Sequence, residues 1–244
     1  MVRRSRRSAV ASTLLKGLWH LLSPLAQMLV YYFLIEVILG RGADYGVSAA
    51  VLIFVGVVHH QFFASVLLGS SGALRANRAL LLQMPLPPAI LVARIVGVSG
   101  IRLCQSMILA IGLMLFLGVT PALTMLAYPA LLFCLVCAAW SIGLAVAVLG
   151  LMFADLRNLL SISLRLLLYV SPVLYPLGLV PAEYEGIYLL NPLAVWFGGL
   201  QWSLYGLNGP PIWSIGLAVG LMSAFVIGAH VVYLRFVRPV TRLL

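Results

Sequence analysis

Few residues of this chain have the type and spacing to act as a nucleophile, a base or a metal ligand. Residues 97–100 and 69–72 fit the pattern Gly-x-Ser-Gly, and His230 in the last apolar run could serve as a base. A nucleophile and its base must meet within hydrogen-bond reach, however, and Gly/Ser patterns are common where membrane helices pack closely. His59 and His60 have no carboxylate in their apolar run, which favours packing or hydrogen bonding over a metal site or proton relay.

The side chains best suited to binding a ligand are the rings around residues 172–211. Pro172, Pro176, Pro181 and Pro192 interrupt any helix there, and the stretch contains no lysine or arginine. Non-helical backbone at membrane depth persists only where protein or a water-filled cavity satisfies its N–H and C=O groups, so such a segment usually lines a passage. The sequence therefore predicts a segment that dips into the far face of a membrane and returns, and it predicts transport. The aromatic residues expected along the path are Tyr31, Tyr32, Tyr169, Tyr175, Tyr188, Trp196 and Trp202.

The composition places these residues in a membrane protein. Apolar residues make up 64% of the chain and charged residues 8%, with a mean hydropathy of +1.14, which is far from a soluble globular domain. The net charge of +10 would suggest nucleic acid in a soluble chain, but here the basic residues lie in short loops beside apolar spans. Cys134 and Cys137 lie in an apolar run without a second ligand pair, so we expect them to pack rather than to bind metal.

Six apolar stretches approach the ~20 residues needed to cross the hydrocarbon layer. The sequence thus predicts an all-α polytopic membrane protein with one transmembrane domain over residues 1–244. The predicted spans are residues 21–39, 49–68, 89–117, 125–153, 159–177 and 212–234.

The basic residues predict that both termini are cytoplasmic. With six spans, only Arg41 falls on the outer side. The basic residues assigned to the cytoplasmic side are Arg3, Arg4, Arg6, Arg7, Lys16, Arg75, Arg78, Arg157, Arg235, Arg238 and Arg242.

Residues 1–20 are expected to be cytoplasmic or interfacial. The stretch 8–20 mixes Lys16 and small polar residues with leucines and Trp19, as in a helix that lies in the membrane interface. A ragged start to the first span is the alternative. In either case cationic groups lie beside anionic headgroups.

The loop at residues 69–88 is the longest predicted cytoplasmic connection. Residues 73–84 favour a short helix that prolines then stop. Such a part-apolar helix could be a socket for a soluble subunit, and an ordinary linker is the alternative. The residues expected to make this contact are Arg75, Asn77, Arg78 and Leu81.

Arg102 lies close to the middle of the third span. An arginine at the bilayer centre costs about 2.5–3.5 kcal/mol on insertion scales, so it should face protein or water rather than lipid. We expect Arg102 to lie at the conduit or at a subunit interface. Arg94 and Arg165 lie nearer the cytoplasmic end and can extend towards it.

The order of several short motifs resembles the membrane subunits of polysaccharide-exporting ABC transporters, of the type that exports O-antigen, capsule or teichoic acid. The resemblance covers nearly the whole chain at compatible spacing. The motifs are Gly17-Leu18-Trp19, Leu22-Ser23-Pro24-Leu25, Val30-Tyr31, Ala76-Asn77 with Leu80, Asp155-Leu156-Arg157-Asn158, Ser171-Pro172-Val173-Leu174-Tyr175-Pro176, Val180-Pro181 and Leu190-Asn191-Pro192-Leu193.

This resemblance implies a non-catalytic permease in a bacterial inner membrane. It implies a homodimer paired with two copies of a separate ATPase that binds ATP and magnesium, so that this chain itself carries no cofactor. It also implies a re-entrant helical pair over residues 172–211 as a periplasmic gate, and a conduit at the dimer interface flanked by the first and fifth spans. The cargo would be a polysaccharide, linked to lipid through a diphosphate that Arg3, Arg4, Arg6, Arg7 and Lys16 attract.

Two other functions remain open from the sequence. An ABC permease for a lipid or a small hydrophobic drug would share the spans and differ in the conduit. A rhomboid-type intramembrane serine protease would use the Gly-x-Ser-Gly pattern with Ser99 and His230.

Overall fold

The computed structural model describes residue 19, residues 21–83, 87–120 and 122–241, with side chains through residue 237. The predicted basic residues Arg3, Arg4, Arg6, Arg7 and Lys16 lie outside this part. The described residues form helices and no strand, which confirms the all-α prediction. The helices are α1 Leu21–Ile38, α2 Ala49–Ala76, α3 Arg78–Gln83, α4 Ala89–Phe116, α5 Tyr128–Met152, α6 Leu156–Val170, α7 Ala182–Tyr188, α8 Pro192–Tyr205 and α9 Ile212–Thr241.

Helix α2 is the centre of the bundle. Its side chains are apolar on every side and most of them are buried, as expected for a helix that packs on all faces. Helices α4, α5 and α6 pack around it, and α9 packs on α5 and α8. The faces of α1 and α9 are largely exposed in one copy of the chain, so these helices lie at its periphery.

The two histidines of α2 tie neighbouring helices together. The His59 ring bonds through Nδ1 to the Val55 carbonyl at 2.8 Å and through Nε2 to the Tyr128 hydroxyl at 3.0 Å. His60 Nε2 donates to the carbonyl oxygen of Leu164 in α6, at 2.9 Å. Both histidines therefore have the hydrogen-bonding role that the sequence predicted.

Helix α2 is longer than the sequence predicted. Residues 69–76, placed in the cytoplasmic loop, continue α2 as a regular helix up to Ala76. Gly69 and Gly72 do not end the helix because Gly150 and Gly143 of α5 let the two helices approach closely, with the backbone of Ser71 against Gly150. The loop is thus reduced to the break at Asn77, helix α3 and the residues that follow it.

Among the residues that the structure describes, five helices are long and apolar enough to span a membrane: α1, α2, α4, α9, and α5 with the 3₁₀ turn Leu123–Ala127 that precedes it. The helix at the predicted fifth span is shorter than these five. Helix α6 covers only Leu156–Val170, and its 15 residues rise about 22 Å, less than the ~30 Å hydrocarbon thickness. The helix ends at Val170, before the predicted end of the span at residue 177, because Ser171 precedes Pro172 and takes the extended conformation that this position favours.

Residues 172–211 form two helices with non-helical connections. After a 3₁₀ turn at Leu177–Leu179 come α7 and then α8. Asn191 caps α8 by accepting from the Leu193 N–H, and Pro192 takes the first helical position. Gly206 ends α8 with a φ of +68°, a conformation that glycine adopts readily.

Candidate functional site

The backbone between α6 and α7 is held by one side chain of α8. Gln201 is buried, and its Nε2 donates to the carbonyl oxygens of Pro172 and Tyr175 at 2.8 and 2.9 Å. Its Oε1 accepts from the Leu177 N–H at 2.9 Å. One amide thus replaces three of the hydrogen bonds that the proline-broken segment cannot make with itself.

Three further contacts hold the same segment. The Val173 carbonyl lies so close to Gly56 of α2 that a β-carbon there would collide with it. The Tyr45 hydroxyl donates to the Leu174 carbonyl at 2.9 Å, and burial raises the pKa of Tyr45 to about 12, so this donor keeps its proton at neutral pH. Asn191 Nδ2 donates to Ser171 Oγ at 3.1 Å. The break is therefore a fixed structure rather than a loose loop.

Four of the predicted path residues meet beside this break. The hydroxyls of Tyr31 in α1 and Tyr169 in α6 are 3.1 Å apart, with their rings edge to face at 6.4 Å. The Tyr175 hydroxyl donates to the Tyr169 carbonyl at 2.9 Å and lies 3.1 Å from the Tyr188 hydroxyl. We call these four residues the tyrosine cluster; it joins α1, α6 and α7.

The tyrosine cluster is accessible in one copy of the chain. Tyr169 is 50% exposed, and the other three members are half-buried. Their rings offer apolar faces and their hydroxyls offer donors and acceptors, without a formal charge. Such a surface suits a neutral polar ligand that has both C–H faces and hydroxyls.

The two predicted tryptophans lie elsewhere. Trp196 is buried, packs edge to face on Phe197 and donates from Nε1 to the Leu131 carbonyl at 2.9 Å. Together with Trp202 it lines an apolar crevice of about 760 Å³ between α5, α8 and α9. They are therefore separate from the tyrosine cluster.

Tyr32 and Arg102 occupy two other places. Tyr32 is half-buried against the main hydrophobic core. Arg102 is half-buried and lines a crevice of about 320 Å³ between α1, α2 and α4, together with Gln61 and several serines. It faces protein rather than projecting freely.

The residues predicted to contact a soluble subunit lie at one end of the bundle. Arg75 donates from a terminal guanidinium nitrogen to the Gly150 carbonyl at 3.1 Å, and Asn77 donates to the Ala73 carbonyl at 2.8 Å. Leu81 is half-buried against a small core that α2, α4 and α5 share. Arg78 and Leu82 are exposed, Leu82 by 62%. The outward face of α3 thus carries Arg78 and Leu82, whereas Leu81 anchors the helix.

The geometry does not assemble a serine protease. The Ser99 hydroxyl is buried and accepts from Ser65 Oγ at 2.9 Å. His230 is exposed on α9, where its ring lies 6.4 Å from that of Tyr233. Ser99 and His230 are therefore not a nucleophile and its base.

Sequence reasoning missed Gln201, Tyr45 and Gly56. The sequence did offer a signal for Gln201, since it is an uncharged polar residue in a largely apolar helix and such a residue needs partners when it is buried. The sequence gives no such signal for Gly56 and Tyr45, because their partners are backbone atoms more than a hundred residues away in sequence.

Replacing Gln201 by leucine should loosen the break. Each buried backbone group left without a partner costs about 1–3 kcal/mol, so we expect a lower melting temperature and faster hydrogen exchange at the Leu177 amide. Gln105→Leu, at an exposed position of α4, is the matched control and should leave both unchanged. Unaltered exchange in residues 171–180 of Gln201→Leu would show that Gln201 does not hold the segment.

Comparison with known proteins identifies the family of this chain. A protein-family model described as ABC-2 type transporter matches residues 1–205. The chain is 26% identical over 200 residues to the O-antigen export system permease protein RfbA of Klebsiella pneumoniae, covering 81% of this chain and 75% of that protein. It is 26% identical over 199 residues to the RfbA of Myxococcus xanthus (79% and 74% covered) and 27% identical over 180 residues to the polysialic acid transport protein KpsM of Escherichia coli (72% and 68% covered). With its several apolar helices, the chain is a multi-pass membrane protein that belongs to the ABC-2 type transporter family.

Proposed function

We propose that this chain is the membrane subunit of an ATP-driven exporter that carries a polysaccharide out of the bacterial cytoplasm. The names of its relatives support a polysaccharide cargo, since they are an O-antigen export permease and a polysialic acid transport protein. Two copies form the conduit, and two copies of a separate ATPase bind ATP and magnesium. Both termini lie on the cytoplasmic side, which the distribution of lysine and arginine supports.

The tyrosine cluster is the observation that carries this proposal. It lies where α1 and α6 meet, the helices that the sequence assigns to the first and fifth spans. Sugar rings have apolar C–H faces that stack on aromatic rings and hydroxyls that bond to phenols. Each ring contact is worth about 1 kcal/mol, enough to guide a polymer without trapping it. In this proposal Tyr32 supports the path from the main hydrophobic core. Trp196 and Trp202 support it from the apolar crevice between α5, α8 and α9.

Helices α7 and α8 form the re-entrant outer gate in this proposal. Helix α6 and the residues up to 177 together make the fifth crossing, which completes six. The hydrogen bonds of Gln201 support a position inside the membrane, because broken backbone at that depth must be satisfied by protein.

The opposite face of the bundle couples to the ATPase. Helix α3 is short and presents Arg78 and Leu82 outwards, while Arg75, Asn77 and Leu81 fix it to α2 and to the bundle. Closure of the ATPase would push on α3, and α2 would carry this movement to the centre of the bundle. Residues 1–20 would lie in the cytoplasmic interface, where Trp19 is exposed.

The apolar crevice between α5, α8 and α9 favours a second candidate, a permease for a lipid or a small hydrophobic drug. Its volume of about 760 Å³ and its lining of alanine, valine and tryptophan suit an acyl chain. The first candidate differs from it in the cargo and not in the ATP-driven architecture.

Purification of the tagged chain from its own membrane tests the function. We expect a stoichiometric soluble subunit with a Walker A sequence to copurify, and we expect loss of surface glycan when either gene is deleted. A surface glycan unchanged by the deletion, with altered lipid or drug efflux, would favour the second candidate. Purification without any ATPase would contradict both.

Tyr169→Ala should lower the rate of glycan export about fivefold, which corresponds to one aromatic contact of about 1 kcal/mol. ATPase activity should persist, and the backbone carbonyl that Tyr175 contacts remains in this variant. Tyr169→Phe keeps the ring and should lose less than twofold. Tyr184→Ala, an exposed tyrosine of α7 outside the tyrosine cluster, is the control. Export by Tyr169→Ala at the wild-type rate would remove the cluster from the path.

Replacing Arg3, Arg4, Arg6, Arg7 and Lys16 by glutamine should weaken export while the chain still inserts. Each such charge at a membrane surface contributes about 1 kcal/mol towards an anionic group, here the diphosphate of a lipid-linked cargo. Topology mapping is the necessary control, because these residues also set the orientation. Unchanged export with the correct topology would reject the headgroup role.

A further inference from the structure

We propose that the crevice between α1, α2 and α4 is a binding site for the phosphate group of a lipid, with Arg102 as its cation. The phosphate belongs either to a membrane phospholipid or to a lipid-linked cargo. Only the second source rests on the proposed function.

The lining of the crevice favours an anion. Its polar groups are the Arg102 guanidinium, the Gln61 amide and the hydroxyls of four serines, and its volume of about 320 Å³ suits a phosphate or diphosphate but not a glycan chain. Hydroxyls, amides and guanidinium can all donate to phosphate oxygens. The four serines are Ser23, Ser65, Ser99 and Ser106.

The positive charge of Arg102 is not compensated within this chain. In residues 19, 21–83, 87–120 and 122–237, no hydrogen bond or ion pair reaches its guanidinium. The whole chain has five acidic side chains, and α2 and α4 contain none of them. A second copy would bring only the same set, which lies at helix ends and in connections: Glu36, Asp44, Asp155, Glu183 and Glu185. A bound anion would supply the counter-charge that the described residues of this chain lack.

The depth of Arg102 makes an uncompensated charge costly. It lies about 20 Å along α4 from Ala89, near the middle of the helix. Side chains of a helix lean towards its N-terminus, so the guanidinium points back towards the end of α4 that carries Ala89. A phosphate drawn in from the interface at that end would meet the guanidinium inside the hydrocarbon layer, where a charge-assisted pair is strong.

A lipid, rather than a soluble anion, fits the surroundings of the crevice. On α4, Ile101 beside Arg102 is 62% exposed and Ile108 is 71% exposed. These apolar surfaces can receive the hydrocarbon chains of a molecule whose phosphate enters the crevice. The polar ends of Gln27 and Gln61, joined by a hydrogen bond of 3.0 Å, form part of the same polar region.

Native mass spectrometry of the purified complex tests the proposal. The probes are phosphatidylglycerol, a polyprenyl diphosphate and inorganic diphosphate, each titrated against wild type, Arg102→Gln, Arg102→Lys and Arg94→Gln. Arg94 is an exposed arginine of the same helix and provides the matched control. We expect Arg102→Gln to bind the phosphorylated lipid at least tenfold more weakly than wild type. Arg102→Lys should bind at an intermediate level, because lysine keeps the charge but loses the bidentate geometry. Arg94→Gln should bind like wild type.

The three probes identify the source of the phosphate. Stronger binding of either lipid than of inorganic diphosphate, with the loss in Arg102→Gln, supports the lipid site and names the lipid. Binding of inorganic diphosphate as tight as that of the lipids, with the same loss, would overturn the lipid assignment in favour of a soluble anion. Equal lipid binding by wild type and Arg102→Gln would overturn the site itself.

Two further controls separate a loss of lipid binding from a folding defect and from a loss of export. If Arg102→Gln does not assemble, the comparison uses Arg102→Lys and Ser106→Ala, which removes a hydroxyl from the crevice and should also weaken binding. Wild-type binding by both variants would count against the site. Glycan export is measured in parallel, so that normal lipid binding by Arg102→Gln in an exporting complex rejects this inference alone.

Discussion

The structure depends on how the backbone break after α6 satisfies its polar groups. Proline removes the helical hydrogen bonds of this segment, and unpaired N–H and C=O groups are costly in an apolar setting. Gln201 supplies three bonds, and Tyr45 supplies one to the Leu174 carbonyl. Gly56 lets the Val173 carbonyl lie against α2, the most buried of the long apolar helices. The break is thus positioned by residues from three separate parts of the chain.

This fixed break determines where the tyrosine cluster lies. Tyr169 is in the last turn of α6, and Tyr175 follows the break and bonds back to the Tyr169 carbonyl. Tyr188 reaches the cluster from α7, and Tyr31 reaches it from α1. A passage for a neutral polymer needs such uncharged rings on a rigid support, and here the support comes from backbone hydrogen bonds. Arg78 lies on α3 and Arg102 in the crevice between α1, α2 and α4, and neither belongs to the cluster.

Local sequence patterns predicted the apolar helices and the break, because hydropathy and proline act over short distances. They also predicted the tyrosines that now form one cluster. They failed for residues 69–76, which they placed in the cytoplasmic loop although close packing on α5 keeps these residues in α2. They also did not distinguish Tyr31, which joins the cluster, from Trp196, which packs in the core. Those differences arise from contacts between distant parts of the chain, which residue type alone does not specify.

Electron cryomicroscopy of the complex in a lipid nanodisc tests the central claim most directly. The account predicts two copies of this chain, with residues 171–205 inside the outer half of the membrane and the tyrosine cluster facing a continuous cavity between the copies. A map in which residues 171–205 project beyond the headgroups, or in which the four tyrosines face lipid, would contradict it.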